Sequence, residues 1–434
     1  METDILIVGT GVAGLYAALN LPSDKRILMV TKAGLEESDS FLAQGGMCVL
    51  KEPSDYDSYF EDTMRAGHYE NNKRSVEIMI NSSQSVLKTL IECGAEFKRN
   101  SKGELEYTKE GAHSKPRIVY HEDITGREIT SKLLARVKTL RNVTFIENFT
   151  MVDIIEEDRK CRGIIGINAD GKFESVAARF TLLATGGIGG LYNNSTNYAH
   201  LTGDALAICK NHGVRLQNLD YVQIHPTTLY SKKKGRRFLI SESVRGEGAK
   251  LYDMNMNRFV NELLPRDVVA NAIKEQMRKD KSPYVWLSMC DLGEKTIKSH
   301  FPNIYTKCLE EGYDVTKDCI PVVPSQHYFM GGIWVDENSK TDMENLYAAG
   351  ETSCNGVHGK NRLASNSLLE SMVFAERAAK DMIKNWTDEP IKAEVEIDEG
   401  KYENYAEDYA KTIREEMERM RKEHERYNNE IKCG

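Results

Sequence analysis

Residues 4–19 read "DILIVGTGVAGLYAAL": a short apolar run, a glycine-rich turn, then apolar residues at helical spacing. The pattern predicts a buried strand feeding a helix. Between them Gly9, Thr10, Gly11, Val12, Ala13 and Gly14 spell GxGxxG, with the strand before it and the helix after it that the motif requires. The glycines permit a tight turn and close approach of a pyrophosphate, whose charge then sits at a helix N-terminus. Such a turn also serves plain packing; the order strand, turn, helix is what favours a nucleotide. "RILMV" (26–30) follows as a second strand and closes a βαβ unit. Thr31 and Lys32 stand after it, where an NAD protein carries a carboxylate for the ribose diol. That weighs against NAD.

Outward from this unit, the 434 residues are 40% hydrophobic and 29% charged, enough for two or three domains. The net charge of −8 argues against nucleic acid as the main partner, because phosphate binding needs a basic surface. The nine cysteines are odd in number and show no CxxC spacing, which reads as reduced thiols in a cytoplasmic protein. "METDILIVG" is acidic and only briefly apolar, so no signal peptide is expected, and no apolar run reaches the roughly 20 residues of a membrane span. The histidines lack ligand spacing, and no metal is expected.

Residues 71–99 have a helical pattern, with Val76, Ile80, Leu87 and Leu90 on one stripe. From 143 to 184 the texture turns to short strands, "VTFIEN", "CRGIIGINADGKF" with a hairpin turn at Ala169-Asp170-Gly171, and "RFTLLATGG". The nucleotide domain is therefore expected to be discontinuous. Residues 219–330 form a separate block, "ENLYAAGE" (344–351) predicts another sheet strand, and "SNSLLESMVFAERAAKDMI" a helix. Beyond 389 the chain is charged and Tyr-rich, with the helical pattern "KTIREEMERMRKEHERY", fit for one long helix or a hairpin. The basic run "KKKGRR" (232–237) reads as a solvated loop.

Three further pieces point to FAD. "AQGGM" (43–47) can press backbone amides against a flat ring, and "LLATGGIGGLY" (182–192) is a second strand ending in glycines. "TGD" (202–204) and "AAGE" (348–351) place acids where a ribose or ribityl chain could be held. In this order the pieces resemble the family of succinate dehydrogenase, fumarate reductase and L-aspartate oxidase flavoproteins, from residue 1 to about 385. The resemblance implies an α/β fold: an FAD-binding Rossmann-like domain of glutathione-reductase type (1–218 and 331–388), an inserted α+β capping domain (219–330) and a short helical C-terminal region (389–434). It implies cofactor contacts at Gly9 to Gly14, Lys32, Ser40, Ala43, Gln44, Gly45, Gly46, Asp204, Glu351, Ser367 and Leu368. The respiratory members attach FAD through a histidine five residues before the glutamine of "QGG"; here Asp39 stands there, so non-covalent FAD is expected.

The block after 219 carries "QIHPTTLY", "LISESVRGEGAKL", "LLPRDVVANAI" and "PVVPSQHYFMGGIWVD", followed by "GVHGKNRLASNSLLE". Singly, a histidine before proline is a structural hydrogen-bonder and an arginine an interdomain salt bridge. Together they supply cationic and hydrogen-bonding groups from separate segments, as a C4 dicarboxylate with two anionic ends requires. The resemblance makes His225, Ser241, His327 and Arg362 carboxylate clamps and Arg266 the proton-transfer group. A guanidinium pKa above about 12 demands a neighbouring acid to relay protons. Glu242, Glu247 and Asp267 are the candidates, with Glu242 also expected at the substrate.

"EGAHSKPR" (110–117) matches the family's aspartate-specific pattern EGxHSxxR. Glu110 lies in sequence among Lys109, His113, Lys115 and Arg117, which alone reads as a solvated ion cluster. In a dicarboxylate site it becomes the group that offsets the ammonium of an amino substrate. The resemblance thus implies FAD-dependent oxidation of L-aspartate to iminoaspartate, with hydride transfer to flavin N5. Dioxygen or fumarate would accept the electrons, and quinolinate synthase would consume the product for NAD biosynthesis. The alternatives are a soluble fumarate reductase or succinate dehydrogenase flavoprotein, and a non-catalytic or tRNA-directed FAD protein.

Overall fold

Strand β1 (Glu2–Val8) and the helix Val12–Leu19 flank the glycine turn in the computed structural model. The structure describes residues 1–233, 235–388, 390–391 and 395–433, with side chains through 427. Lys234 in the basic run and Glu389 at the expected start of the tail lie outside the described residues.

The main sheet adds β2 (Ile27–Val30), β3 (Val143–Ile146), β4 (Thr150–Glu157), β5 (Lys160–Ile167) and β6 (Phe173–Leu183). Their order across the sheet is β3-β2-β1-β6-β5-β4. β1 runs parallel to β2 and β6, while β4, β5 and β6 form an antiparallel meander. β4, "TMVDIIEE", was not among the expected strands; Val152, Ile154 and Ile155 are all buried in it. The β5–β6 hairpin turns at Asn168–Lys172 with Gly171 at φ +76°, as its sequence requires.

Alternation along each strand sends side chains to two cores. Ile5, Ile7 and Met29 pack on one face, and Leu6, Val8, Leu28 and Val30 on the other. The first core is closed by the helices Lys73–Glu92 and Ser367–Lys384, with Val76, Ile80, Leu87 and Leu90 buried. The helical pattern over 71–99 stops at Glu92: Gly94 takes φ +90° and the Ala95 amide bonds back to the Leu90 carbonyl, a left-handed C-terminal stop.

Residues 219–330 hold an antiparallel sheet of β7 (Val222–Leu229), β8 (Lys250–Tyr252), β9 (Val285–Ser288) and β10 (Cys319–Phe329), ordered β7-β10-β9-β8. Leu229, Ile240, Val269, Ile273 and Val322 belong to a core separate from the main sheet's two. The chain returns to the main sheet as β11 (Leu346–Ala348), parallel to β6. In register, Val8 pairs with Val30 and Leu183, and Ala348 with Leu183. The carboxyl ends of four strands therefore open onto one edge, where ligands of such sheets bind.

The charged tail forms a single helix, Tyr405–Cys433, folded onto the second core through Tyr409, Ile413 and Met420. Each buried side chain contributes about 1.5–3 kcal/mol. Asp153 anchors its start, accepting from Lys401 and Tyr402 at 2.6 Å each. Among the described residues eight cysteines are free thiols, and no helix is long and apolar enough to cross a membrane.

Candidate active site

A single cleft runs from the strand ends under the capping sheet. Gly9, Thr10, Gly11, Val12 and Ala13 line it, with Lys32, Ser40, Ala43, Gln44, Gly45, Gly46, Asp204, Glu351, Ser367 and Leu368. Gly14 does not. A Cβ there would stand 2.1 Å from the Gly9 carbonyl oxygen, so Gly14 serves helix–turn packing rather than ligand contact. Gly9 has φ +115°, and a Cβ on it would lie 2.1 Å from the Ala184 oxygen of the neighbouring strand end. At this turn bare backbone faces the cleft.

Lys32 donates to Asp204 at 2.6 Å and to Thr202 at 2.9 Å, tying the end of β2 to the first turn of the helix Asp204–Asn211. Ser38 Oγ, Asp39 Oδ2 and Gln44 Oε1 are buried, line the same cleft and have no partner among the described residues. Unpaired buried polar atoms of this kind await a polar ligand. Burial, then mutual repulsion, pushes the Glu351 carboxyl up to about 8, and burial raises Asp39 to about 7. The bare backbone turn, the orphaned polar atoms and the helix N-terminus fit a dinucleotide cofactor.

The cap supplies the other wall. His225, Ser241, Glu242, Arg266, His327 and Arg362 converge there with Glu110. Arg266 begins the helix Arg266–Asp280; its Nε donates to Glu242 Oε2 at 2.5 Å and its Nη1 to Gln223 Oε1 at 2.8 Å. Glu242 also lies 3.6 Å from the buried Arg245. Burial opposes ionisation of Glu242, but the charges of Arg266 and Arg245 outweigh it and hold the carboxyl below its ordinary value. Of the three acids considered for Arg266, Glu242 is the one in contact. Glu247 bonds His300 at 3.0 Å, and Asp267 meets His68 at 3.1 Å.

Arg362 is buried with neutral partners: Nε donates to Gln223 Oε1 at 3.3 Å, Nη1 to Ser367 Oγ, and the guanidinium lies 4.0 Å from the Tyr328 ring centroid. Burial and the nearby Arg266 lower its pKa to about 10, so it remains a cation at neutral pH. The rings of His225 and His327 meet edge to face at 5.1 Å. Burial and the Arg266 charge drive both well below the ordinary imidazole value, so both are neutral. His225 Nδ1 lies 3.2 Å from the backbone of Thr227, and Nε2, buried in the cleft wall, has no partner among the described residues.

Glu110 is 2% exposed. Its Oε2 accepts from Ser365 Oγ at 2.5 Å and its Oε1 from Ser243 Oγ at 2.8 Å. Gly45 admits it, since a Cβ there would lie 2.5 Å from Oε1. Burial, with Glu242 nearby, raises its pKa. The cations beside it in sequence point elsewhere. Arg117, fully buried, donates to Asp55 at 3.1 Å, to Asp62 at 2.7 Å and to His113 Nδ1 at 3.1 Å. His113 Nε2 meets the Ala364 carbonyl at 3.1 Å, and burial lowers its pKa to about 4. His113 and Arg117 thus pin the loop that presents Glu110. Gln223, Ser243, Ser365 and Arg245 escaped the sequence reading. All four stand inside quoted motifs, Gln223 in "QIHPTTLY", Ser243 and Arg245 in "LISESVRGEGAKL" and Ser365 in "GVHGKNRLASNSLLE", but nothing in the motifs singled them out.

A sheet edge of this kind, roofed by a cap bearing buried arginines and histidines, defines a flavoprotein acting on a small anion. A family model described as FAD binding domain matches residues 4–368, and the chain belongs to that FAD-binding family. It is similar to the L-aspartate oxidase of Clostridium perfringens, 52% identical over 380 residues covering 87% of this chain and 86% of the relative. With the L-aspartate oxidase of Clostridium acetobutylicum it shares 49% identity over 383 residues, 88% of each chain. Among solved structures it is similar to E. coli quinol fumarate reductase at 28% identity and a TM-score of 0.84, covering 96% of this chain and 74% of that one.

Proposed function

We propose that this chain is an FAD-dependent enzyme that oxidises L-aspartate to iminoaspartate. When bound, FAD would supply the two-electron acceptor for the substrate hydride, with dioxygen (giving hydrogen peroxide) or fumarate (giving succinate) as the onward acceptor. Gly9, Gly11, Lys32, Ser40, Gln44, Gly45, Gly46, Asp204 and Glu351 hold the cofactor. Retention is non-covalent, because Asp39 offers no ring nitrogen where the respiratory relatives carry histidine.

Arg362 and the His225 and His327 imidazoles receive the substrate carboxylates, with Ser241 as a further hydroxyl donor. The Cα–H leaves as hydride and the substrate ammonium gives up its proton; Arg266 is the proton-transfer group of the cleft, and Glu242, which touches it and lies 3.6 Å from Arg245, carries that proton onward. Orientation and exclusion of water under the cap supply much of the acceleration.

The observation that carries the aspartate reading is Glu110. Its carboxylate is buried beside the cleft's cations and neutral histidines and, unlike that of Glu242, is bound by hydroxyls rather than by a guanidinium, so it accommodates an ammonium that those groups would repel. The names of the similar proteins support the same substrate, and the fumarate reductase likeness supports fumarate as an acceptor. This oxidation is the first step of NAD biosynthesis, in the cytoplasm, and quinolinate synthase consumes its product. The working division is FAD-binding 1–218 and 331–388, cap 219–330 and tail 389–434, with the cleft between cap and base. Anaerobic L-aspartate should bleach the yellow, acid-extractable flavin of the purified holoenzyme; a flavin-loaded protein that stays yellow sinks this reading, and bleaching by succinate alone favours a dicarboxylate enzyme.

A further inference from the structure

Glu110 belongs to a loop of the base, yet its two carboxylate oxygens are held from two different units. Oε2 is bound by Ser365, on the segment leading into the helix Ser367–Lys384; Oε1 is bound by Ser243, inside the short cap helix Glu242–Gly246. Ser365 is tightly placed: it takes a left-handed backbone, φ +63°, and its hydroxyl also accepts from the Gly46 amide at 3.2 Å. Ser243 is fixed by Ser241, whose hydroxyl accepts from the Ser243 amide at 3.3 Å and donates to Ser243 Oγ at 3.2 Å.

Cap and loop are also pressed together by backbone. A Cβ on Gly246 would stand 2.6 Å from the Lys109 carbonyl oxygen, and one on Gly111 would stand 2.4 Å from Glu242 Oε1. The cap helix therefore reaches the Glu110 loop only because both sides present glycine at the contact. Each carboxylate oxygen has two lone pairs, so one hydroxyl on each leaves acceptor capacity for an ammonium.

We propose that Ser243 is a positioning residue that determines amine specificity: it ties the ammonium-recognising carboxylate of Glu110 to the cap, so that this charge is aimed and stabilised only with the cap seated on the base. This rests on the aspartate reading above. Ser243 donates to the ionised carboxylate, which favours the charged form of Glu110 against the burial that opposes it. The groups acting on Glu110 are Glu242, Arg266, Arg245 and Ser243 on the cap side and Arg362 and Ser365 on the base side. Loss of the Ser243 hydroxyl costs the charged form alone, because a neutral site needs no such donor.

The test is Ser243→Ala in the flavin-loaded enzyme, checked for unchanged FAD content. KM for L-aspartate is expected to rise about tenfold with kcat changed less than about twofold, the loss of one charge-assisted hydrogen bond. The acid limb of log kcat/KM for aspartate is expected to move up by about one pH unit. The dissociation constant of succinate, which has no ammonium, read from the flavin absorbance, should move less than about twofold. Ser243→Thr, which keeps the hydroxyl, should restore KM and the acid limb. An unmoved acid limb, or aspartate and succinate weakened in equal proportion, overturns the positioning role. Wild-type enzyme that does not oxidise aspartate overturns the underlying reading instead, whatever the variants do.

Discussion

Replacing Glu110 by glutamine removes one charge from the cleft and little else. The side chain keeps its length, and the Ser365 and Ser243 hydroxyls at 2.5 and 2.8 Å can rotate to meet either amide atom. What is lost is the attraction for the substrate ammonium. At about 4 Å and an effective dielectric near 20, the bare Coulomb attraction is about 4 kcal/mol. Desolvation of a group in a site 2% exposed cancels part of it. The net value is that of a charge-assisted hydrogen bond, about 1.5–3 kcal/mol, or about 10- to 150-fold in kcat/KM for aspartate. Fumarate carries no ammonium, so its reduction by the same holoenzyme should stay within about twofold. The assays are anaerobic stopped-flow bleaching of the flavin by aspartate, and fumarate-dependent oxidation of a reduced viologen. A parallel fall in both activities, or in neither, would refute the assignment and return Glu110 to a structural role.

Other consequences can be checked independently. Gly14→Ala forces a Cβ to 2.1 Å from the Gly9 oxygen and should distort the turn, so the purified protein should lose its flavin; a normal FAD-to-protein ratio contradicts this packing role. Arg117→Met leaves Asp55 and Asp62 facing each other without their buried guanidinium, at a cost of about 3–5 kcal/mol. Calorimetry should show Tm lower by roughly 4 °C, from about 2.1 cal/mol/K per residue, and an unchanged Tm counts against it. Asp153, then Glu156, raise the His212 pKa above 6.5 against the opposing effect of burial, so the ion pair's stabilisation is complete below about pH 6.5 and is lost as pH rises through the raised value. The Tm deficit of His212→Gln should therefore be largest near pH 6 and shrink by pH 9; a constant deficit excludes the linkage.

The local signals in the sequence were sufficient for the parts of the molecule that local physics governs. The run Ile5–Val8, the turn from Gly9 to Gly14 and the helical stripe Val76–Leu90 are set by side-chain period and glycine placement over a few residues. Those features placed the cofactor end and, with the motif order, identified the residues that line the cleft. The helix over 71–99 was overextended because the stop at Gly94 depends on a left-handed φ that the apolar stripe does not encode. β4 was missed because a buried aspartate, Asp153, interrupts its apolar run and finds its side-chain partners, His212, Lys401 and Tyr402, only far along the chain.

The surroundings of Glu110 were beyond any local reading. Its two hydroxyl donors are 133 and 255 residues away, and Arg117 and Lys115, near it in sequence, turn out to serve Asp55 and Asp62. Gln223, which joins Arg266 to Arg362 across separations of 43 and 139 residues, is an ordinary amide until the fold brings both guanidinia to one oxygen. Sequence by itself determined which chemical groups were present and the strand–turn–helix frame that holds a cofactor. Tertiary structure alone decided which charges face each other, because Coulomb and hydrogen-bond energies depend on separation in space and on burial, neither of which is a property of neighbours along the chain.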